Sequence, residues 1–355
     1  MKKMIRSYLA DNTLDKSIHK SKKRWRYIII IAVTLVLTIT AAAVICYNNI
    51  TLEKHDTFSL LHIEDTEKAP ENINVSFPVK FGVIADIKNM ETLFSCFYKK
   101  LNGGKTVNGA DYCIAVPTDV TEVEKRAFYD VILDAKLKAK NITVVEKPIA
   151  DAVGMGIDVQ SPNGHMIVDI GSDTTEISVI SLGGIVLSKL IKTGGSKFDE
   201  AICGIVRKKY NLIIGSRSAE QIKMQLADAI EPDEDIIAMT YGRNILTGLP
   251  NAREISASLI HEAIKELLHQ IIENIKLILE RTPPELTADI YAKGIYLTGG
   301  SAKILNIDKL ITEETGLKVN MAENPSETVI RGIASIVTTP ELSGLTYIPR
   351  EKQYN

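Results

Sequence analysis

The chain has 355 residues, 45% of them hydrophobic, and a formal net charge of -2 at pH 7. Its length suffices for two folded domains or one large bilobed unit, and its composition is typical of folded domains. Basic residues are in excess only near the N-terminus, and no basic patch is interleaved with aromatic residues, which excludes nucleic acid as a partner. The four cysteines lack CxxC or histidine spacing, so neither a zinc site nor a disulfide framework is predicted.

A long uncharged run, YIIIIAVTLVLTITAAAVICY, covers residues 27–47. A helix of that length rises about 30 Å, the thickness of the hydrocarbon core of a bilayer. We therefore predict a basic tail over 1–26, a single transmembrane helix over 27–47 and a linker over 48–76. A cleavable signal sequence is the alternative, since residues 41–43 are three alanines of the kind found at cleavage sites.

The charges on either side of the run differ in sign. Nine lysines and arginines against two aspartates precede it, whereas the segment just after it is acidic. By the positive-inside rule the N-terminus stays in the cytoplasm and the rest of the chain is placed across the cell membrane. The linker contains one apolar patch at 58–63, which we interpret as a short strand.

An α/β pattern follows the linker. Residues 111–117 contain the compact apolar run YCIAV, residues 121–138 have helical spacing, and 141–145 is the next apolar segment. Thr121 and Glu124 are placed as a capping box at the start of the helix. Strand, helix and strand in this order predict parallel α/β structure.

Three strands are predicted at 165–170, 176–181 and 185–191, joined by tight turns. The first turn can present backbone N–H groups and hydroxyls of Gly171, Ser172, Thr174 and Thr175 to a phosphate, and Asp169 can hold Mg²⁺ through water. The alternative is that the glycines only make the turns, because such turns need a positive φ whether or not a ligand binds.

A second glycine turn lies near the C-terminal end, where the strand IYLTG is followed by Gly299, Gly300 and Ser301 at the predicted start of a helix. Converging N–H groups at a helix start suit an anion or a nucleotide. Residues 256–281 form a long amphipathic helix whose apolar face we assign to the core.

These segments resemble one family. The strings IAVPTDVTEVEKRAFYD, EKPIADAVGMGIDV, VDIGSDTTEISVISLGGIVLSK, GRNILTGLP and GIYLTGGSAKILNIDKLITEETGL are similar to the bacterial actin MreB and its Mbl paralogue, and the resemblance runs from about residue 77 to 337. It implies an actin-like ATPase fold over 77–340, with two α/β lobes around a nucleotide cleft and a C-terminal tail over 341–355. It also implies membrane-bound filaments with MreB-type proteins and the cell-wall elongation machinery as partner.

The resemblance implies a binding site for ATP with Mg²⁺. The matching positions are Asp169, Gly171, Ser172, Asp173, Thr174, Glu220, Lys223, Gly299, Gly300, Ser301 and Ala302.

Several positions depart from the family pattern. The first phosphate loop has no equivalent, because residues 11–13 lack its glycine and precede the apolar run, so the first lobe is incomplete. Asp173 replaces a glycine, and its carboxylate would repel a triphosphate. Lys147 replaces the glutamate that orients the attacking water, and a charged lysine cannot accept a proton. Gln225 replaces an acid, and the adenosine loop reads Gly299-Gly300-Ser301-Ala302 in place of three glycines. Together these losses predict a pseudo-ATPase.

Three functions follow as hypotheses. The first is a membrane-anchored, MreB-like scaffold in cell shape or envelope organisation, with a degenerate nucleotide site. The second is an active ATP-dependent filament former, and the third is an extracytoplasmic binding module that keeps only the fold. The positive-inside rule places the domain outside the cell, whereas the resemblance to the family implies the cytoplasm.

A fourth hypothesis is a truncated remnant of such a protein, joined to a transmembrane segment. The incomplete lobe predicts that 58–63 pairs beside 112–116, or that a second copy supplies the strand.

Overall fold

The computed structural model describes residues 44–47, 59–60, 73–101, 109–135, 139–232 and 236–349. Its strands are β1 (Val44–Tyr47), β2 (Ser59–Leu60), β3 (Ile73–Ser76), β4 (Val79–Lys80), β5 (Val83–Ile84), β6 (Ala110–Val116), β7 (Ala139–Glu146), β8 (His165–Ile170), β9 (Thr175–Ser181), β10 (Gly184–Ile191), β11 (Leu212–Ile213), β12 (Ile237–Asn244), β13 (Pro250–Ser256), β14 (Ile295–Thr298) and β15 (Val319–Met321).

The α-helices are α1 (Ile87–Leu101), α2 (Glu122–Asp134), α3 (Lys147–Gly154), α4 (Gly195–Tyr210), α5 (Ser216–Leu226), α6 (Ala257–Arg281), α7 (Pro284–Lys293), α8 (Ile307–Thr315) and α9 (Thr328–Thr338). Two 3₁₀ segments cover Gly300–Lys303 and Pro340–Leu345.

The first described strands form a small antiparallel sheet in the order β2-β1-β3. Val44–Tyr47, the last four residues of the predicted transmembrane helix, are thus a strand, which suits their β-branched and aromatic side chains. The other residues of that helix, 27–43, and the tail 1–26 lie outside the described residues. Among the helices that the structure describes, none has both the length and the apolarity needed to cross a bilayer.

The apolar patch at 58–63 contributes β2, but its pairing differs from the prediction. Ser59–Leu60 pairs with β1 and not with the 112–116 region. That region is β6, which pairs in parallel with β7. Strand formation in the patch is therefore confirmed for two residues. The predicted pairing with 112–116 is wrong, because the end of the predicted transmembrane helix forms β1 and pairs with the patch instead.

The first lobe contains the hairpin β4–β5, helices α1 and α2 and the parallel pair β6–β7. Its core is apolar, with Phe94, Tyr112 and Ile132 at most 2% exposed. The predicted capping box is confirmed: the Thr121 hydroxyl accepts from the Glu124 N–H, and the Glu124 carboxylate accepts from the Thr121 N–H at 2.7 Å. The strand, helix and strand of this lobe are those predicted, within a few residues at their ends.

The second lobe is built on a five-stranded sheet in the order β10-β9-β8-β14-β15. The antiparallel strands β8, β9 and β10 lie within one residue of the three predicted strands, while β14 pairs with β8 and β15 in parallel. Helix α6 covers this sheet with its buried apolar face, as predicted, and Ser256 caps it by accepting from the Leu259 N–H. A smaller sheet, β11-β12-β13, extends the lobe.

Helices α3 and α9 cross between the two lobes at very short range. A Cβ atom at Gly332 would lie 1.7 Å from the Ala150 carbonyl oxygen, and one at Gly154 would lie 1.9 Å from the Thr328 carbonyl oxygen. The apolar residues of this crossing share one core with β6, β7, β8 and β9. The crossing therefore joins the two sheets through a shared core.

Candidate nucleotide cleft

The turn between β8 and β9 contains the residues predicted to form a phosphate loop. Its Gly171 N–H donates to the Thr174 carbonyl at 2.9 Å, which closes the turn. Asp169, at the end of β8, is 4% exposed and Thr174 is 8% exposed. Thr175 differs from the prediction, since its buried hydroxyl donates to the Thr193 carbonyl at 2.8 Å and is directed into the fold, not towards a phosphate.

The N-terminus of α4 lies directly against this turn. The Gly195 N–H donates to the Gly171 carbonyl at 3.1 Å and the Ser196 N–H to the Ser172 carbonyl at 2.7 Å. A Cβ atom at Gly194 would lie 2.7 Å from the Ser172 carbonyl oxygen, so glycine permits the approach. We did not single out these helix-start residues from the sequence, although two consecutive glycines before a helical pattern were a usable signal.

Asp173 is engaged in protein contacts. One carboxylate oxygen accepts from the Ser196 hydroxyl at 2.9 Å, and the other accepts from the Phe81 N–H at 3.4 Å. The Ser196 hydroxyl also lies 3.2 Å from that of Ser172. Asp173 thus links the turn to the start of α4 and to the first lobe, contacts that a glycine at this position could not make.

Lys147, the first residue of α3, is surrounded by carboxylates. Its ammonium lies 2.5 Å from an oxygen of Asp169 and 3.9 Å from an oxygen of Glu176. Asp151, one helical turn further on and fully buried, accepts from the Thr328 hydroxyl at 2.6 Å. A positive charge is unfavourable at a helix start, and these acidic groups offset that effect. The buried acids around Lys147 were not anticipated from the sequence.

Burial and mutual charge shift the pKa values of this group. Burial lowers the pKa of Lys147, but the surrounding carboxylates raise it by more, and the net pKa lies above that of an ordinary lysine. Burial raises the pKa of Glu176 and raises that of Asp151 well above its usual range, the effect of Lys147 notwithstanding. Lys147 is therefore charged at neutral pH and cannot act as a proton acceptor.

Lys223 and Glu220 lie one turn apart on α5, at the predicted adenine and ribose edge. The Lys223 ammonium lies 2.8 Å from an oxygen of Asp199 and donates to the Gly195 carbonyl at 3.1 Å. Burial raises the pKa of Asp199 to about 6, Lys223 opposes this effect, and Glu220 adds to it. Lys223 therefore links the predicted adenine and ribose edge on α5 to the first turns of α4.

The second glycine turn faces Asp169. Gly299 has a φ of +93°, and a Cβ atom there would lie 2.3 Å from a carboxylate oxygen of Asp169. The Ser301 hydroxyl donates to the Gly171 carbonyl at 2.8 Å, whereas Gly300 is exposed and Ala302 buried. A helix begins at this turn as predicted, and it is a 3₁₀ helix of four residues, Gly300–Lys303.

The structure thus brings the two glycine turns together, with Gly299 against Asp169 and the Ser301 hydroxyl on the Gly171 carbonyl. Lys223 is linked to the first turn through Gly195. A cavity of about 240 Å³ lies elsewhere, at the C-terminal end of α3 beside β15 and α9, and no predicted nucleotide-site residue lines it. Among the described residues, no group of three or more histidine, cysteine or acidic side chains has an arrangement that could hold a metal ion. Asp169, the residue expected from the sequence to hold Mg²⁺ through water, instead contacts the Lys147 ammonium at 2.5 Å.

Two α/β lobes that meet at such a cleft define an actin-like ATPase fold. A family model described as MreB/Mbl protein matches residues 63–343. The chain therefore belongs to the MreB/Mbl family, as its resemblance predicted.

Individual relatives agree with this assignment. The chain is 39% identical to the cell shape-determining protein MreB of Escherichia coli K12 over 266 residues, which are 75% of this chain and 76% of that one. It is 36% identical to the cell shape-determining protein Mbl of Bacillus subtilis 168 over 285 residues, 80% of this chain and 84% of that one.

Solved structures have the same fold. The crystal structure of MreB5 of Spiroplasma citri bound to ADP matches with a TM-score of 0.77 and 31% identity, covering 84% of this chain and 88% of that one. The AMPPNP-bound structure of the same protein matches with a TM-score of 0.78 and 30% identity, covering 85% and 90%. The MamK double helical filament, at 20% identity and a TM-score of 0.68 over 83% of this chain and 90% of that one, shares the fold.

Proposed function

We propose that this chain is a structural actin homologue in cell shape or envelope organisation, attached to the membrane by residues 27–43 and assembled as a homo-oligomer or filament without turning over ATP. The names of its MreB and Mbl relatives support the cell-shape role. The MreB5 complexes with ADP and AMPPNP support weak nucleotide binding as a property that this chain retains. Assembly and the elongation machinery as partner rest on the resemblance to the family.

The contact between Lys147 and Asp169 is the observation that carries the loss of catalysis. An ammonium 2.5 Å from this carboxylate occupies the position from which the family's glutamate would orient water. Its raised pKa keeps it charged, so it cannot assist proton transfer. Loss of general-base assistance alone reduces a rate by about 10²- to 10⁴-fold.

We expect the purified full-length chain in detergent micelles to release phosphate from ATP no faster than a buffer blank. Phosphate release in the presence of magnesium measures this directly, and a Thr174→Ala variant controls for contaminating ATPases. Magnesium-dependent turnover that disappears in Thr174→Ala would contradict the proposal. It would instead support an active ATP-dependent filament former, which is the second candidate function.

Membrane attachment rests on the apolar run. Because Val44–Tyr47 is a strand, residues 27–43 are available to span, and these 17 residues are at the lower end of the length that a transmembrane helix needs. The acidic segment that follows them and the basic tail before them fit the charge pattern of a single-pass protein.

Replacement of Leu35 and Val36 by arginine should move the protein from the membrane fraction to the soluble fraction. Two charges near the bilayer centre cost about 5 to 7 kcal/mol on insertion scales. Fractionation in high salt measures the shift, and the double variant Leu35→Ala, Val36→Ala should remain with the membrane. A double-arginine variant that still sediments with membranes would show that this run is not the anchor.

The charge pattern also favours another candidate function, an extracytoplasmic binding module that keeps only the fold. Labelling of the partly buried Cys203 with a membrane-impermeant maleimide, in intact and in lysed cells under conditions that open the fold, distinguishes the two sides of the membrane. Labelling in intact cells would support the extracytoplasmic alternative, and labelling only after lysis would support the cytoplasmic scaffold.

A further inference from the structure

Desolvated ion pairs of Lys147 connect the first lobe to the second. Lys147 directly follows β7 of the first lobe, while Asp169 and Glu176 lie on β8 and β9 of the second. The side chain of Lys147 is 17% exposed, that of Asp169 6% and that of Glu176 1%. Charge pairs removed from water interact strongly, and loss of one partner leaves an uncompensated buried charge.

Three hydrogen bonds flank the contacts of Lys147. Thr118, in the loop after β6, donates to one Glu176 oxygen both from its N–H, at 2.6 Å, and from its hydroxyl. Its neighbour Asp119 accepts from the N–H of Leu190 on β10 at 3.1 Å. The same loop of the first lobe is thereby bound to two strands of the second.

A third point of contact involves the hairpin between β4 and β5. The Phe81 N–H donates to Asp173 at 3.4 Å, and the Lys192 ammonium lies 5.3 Å from the centre of the Phe81 ring. Each acceptor in these three contacts is a carboxylate, which strengthens the hydrogen bonds relative to neutral ones.

We infer that Lys147, Thr118, Asp119 and Phe81, with their partners on β8–β10, form an interlobe clasp that holds the two lobes together independently of a nucleotide. Lys147 and Asp173 both depart from the family pattern, and both contribute charged groups to the clasp. Asp169, assigned by resemblance to a magnesium ion, is neutralised by an ammonium of the chain itself. The substitutions that remove catalysis thus also supply contacts across the cleft.

The clasp rests on the proposed function only in that Lys147 stands at the former catalytic position. Closure of the cleft without nucleotide is separate from the loss of ATP hydrolysis, because a chain that cannot hydrolyse ATP can still need a bound nucleotide to close. Phosphate release tests the loss of hydrolysis, and hydrogen exchange across the cleft tests closure without nucleotide.

Amide hydrogen exchange of the full-length chain in detergent, without nucleotide, measures cleft opening. The amides of Thr118 and Leu190 should exchange slowly, and addition of magnesium and ATP should leave their rates unchanged. Lys147→Met should accelerate exchange at both amides by about tenfold or more. The variant removes the charged contacts with Asp169 and Glu176, so the cleft opens more often and exposes both amides to water. The control Lys276→Met, which breaks an exposed ion pair with Glu314 at 2.7 Å, should change neither rate.

A second variant keeps the test informative if Lys147→Met does not fold. Thr118→Val removes one hydroxyl donor to Glu176 and keeps every charge, and it should accelerate exchange at Leu190 by a smaller factor. Protection of Thr118 and Leu190 that arises only after magnesium and ATP are added would overturn the clasp. Unchanged exchange at Leu190 in the variants that fold would overturn it as well, whatever the phosphate-release assay shows.

Discussion

Gly332→Ala should strongly destabilise the protein, because the added methyl group would lie 1.7 Å from the Ala150 carbonyl oxygen and 2.6 Å from its carbon. The contact is with the backbone of α3, so no side-chain rotation relieves it. Helices α3 and α9 must therefore separate, and the core that joins the two sheets must open with them. Overpacking of this kind costs about 3 kcal/mol or more. Denaturant unfolding, followed by circular dichroism, measures the loss.

Gly204→Ala is the matched control for this experiment. Gly204 lies in α4, is exposed, and a Cβ atom there would meet nothing within 4 Å. Alanine is favoured over glycine inside an exposed helix by about 0.5 to 1 kcal/mol, so this variant should be slightly more stable than the parent chain. Equal unfolding midpoints for Gly332→Ala and the parent chain would show that α3 and α9 do not cross as closely as described.

The elements that the sequence predicted well are those with a local signal. Alternating or continuous apolar runs with turn residues between them identified β6, β7 and the three strands β8, β9 and β10. The capping box located the start of α2, and the spacing of apolar residues located α6. Each of these signals lies within about 25 residues, where side-chain periodicity directly reflects the secondary structure.

The apolar run at 27–47 shows the limit of such signals. Valine, isoleucine and tyrosine suit a half-buried strand as well as a lipid-facing helix, and only a pairing partner distinguishes the two. For Val44–Tyr47 the partners are β2 and β3, which both lie further along the chain. The hydropathy of the run does not contain that information.

The sequence identified residues that lie near one another in the structure, but it did not reveal the contacts that they make. The sequence placed Asp169, Gly171 and Gly299 in one cleft, and the structure brings them together. It did not reveal that Asp173 reaches Phe81, 92 positions away. Nor did it reveal that the hydroxyl of Thr328, 177 positions from Asp151, donates to one oxygen of that buried carboxyl. The Asp151–Thr328 contact depends on the crossing of α3 and α9. Single glycines within helical patterns do not predict that crossing.

Asp151 should make the stability of the protein depend on pH. Burial raises its pKa in the folded state, and the nearby Asp169 adds to the shift while Lys147 and the Thr328 hydroxyl oppose it. In the unfolded chain an aspartate ionises near pH 3.9. Folding is therefore favoured by this group below about pH 4, and the contribution is lost as the pH rises towards the folded pKa.

We expect Asp151→Asn to become progressively more stable than the parent chain as the pH rises above about 4, by about 1.4 kcal/mol for each pH unit until the folded pKa is reached. Asparagine keeps an oxygen that can accept from the Thr328 hydroxyl, so the substitution removes the ionisable group with little change in packing. Denaturant unfolding of both proteins at pH values from 5 to 8 gives the difference directly. Asp134→Asn, at an exposed position at the end of α2, controls for the change in net charge. A difference in stability between the Asp151→Asn variant and the parent chain that stays constant across this range would contradict the prediction. It would show that the Asp151 carboxyl ionises alike in the folded and unfolded states, and that the carboxylates around Lys147 are more solvated than their contacts indicate.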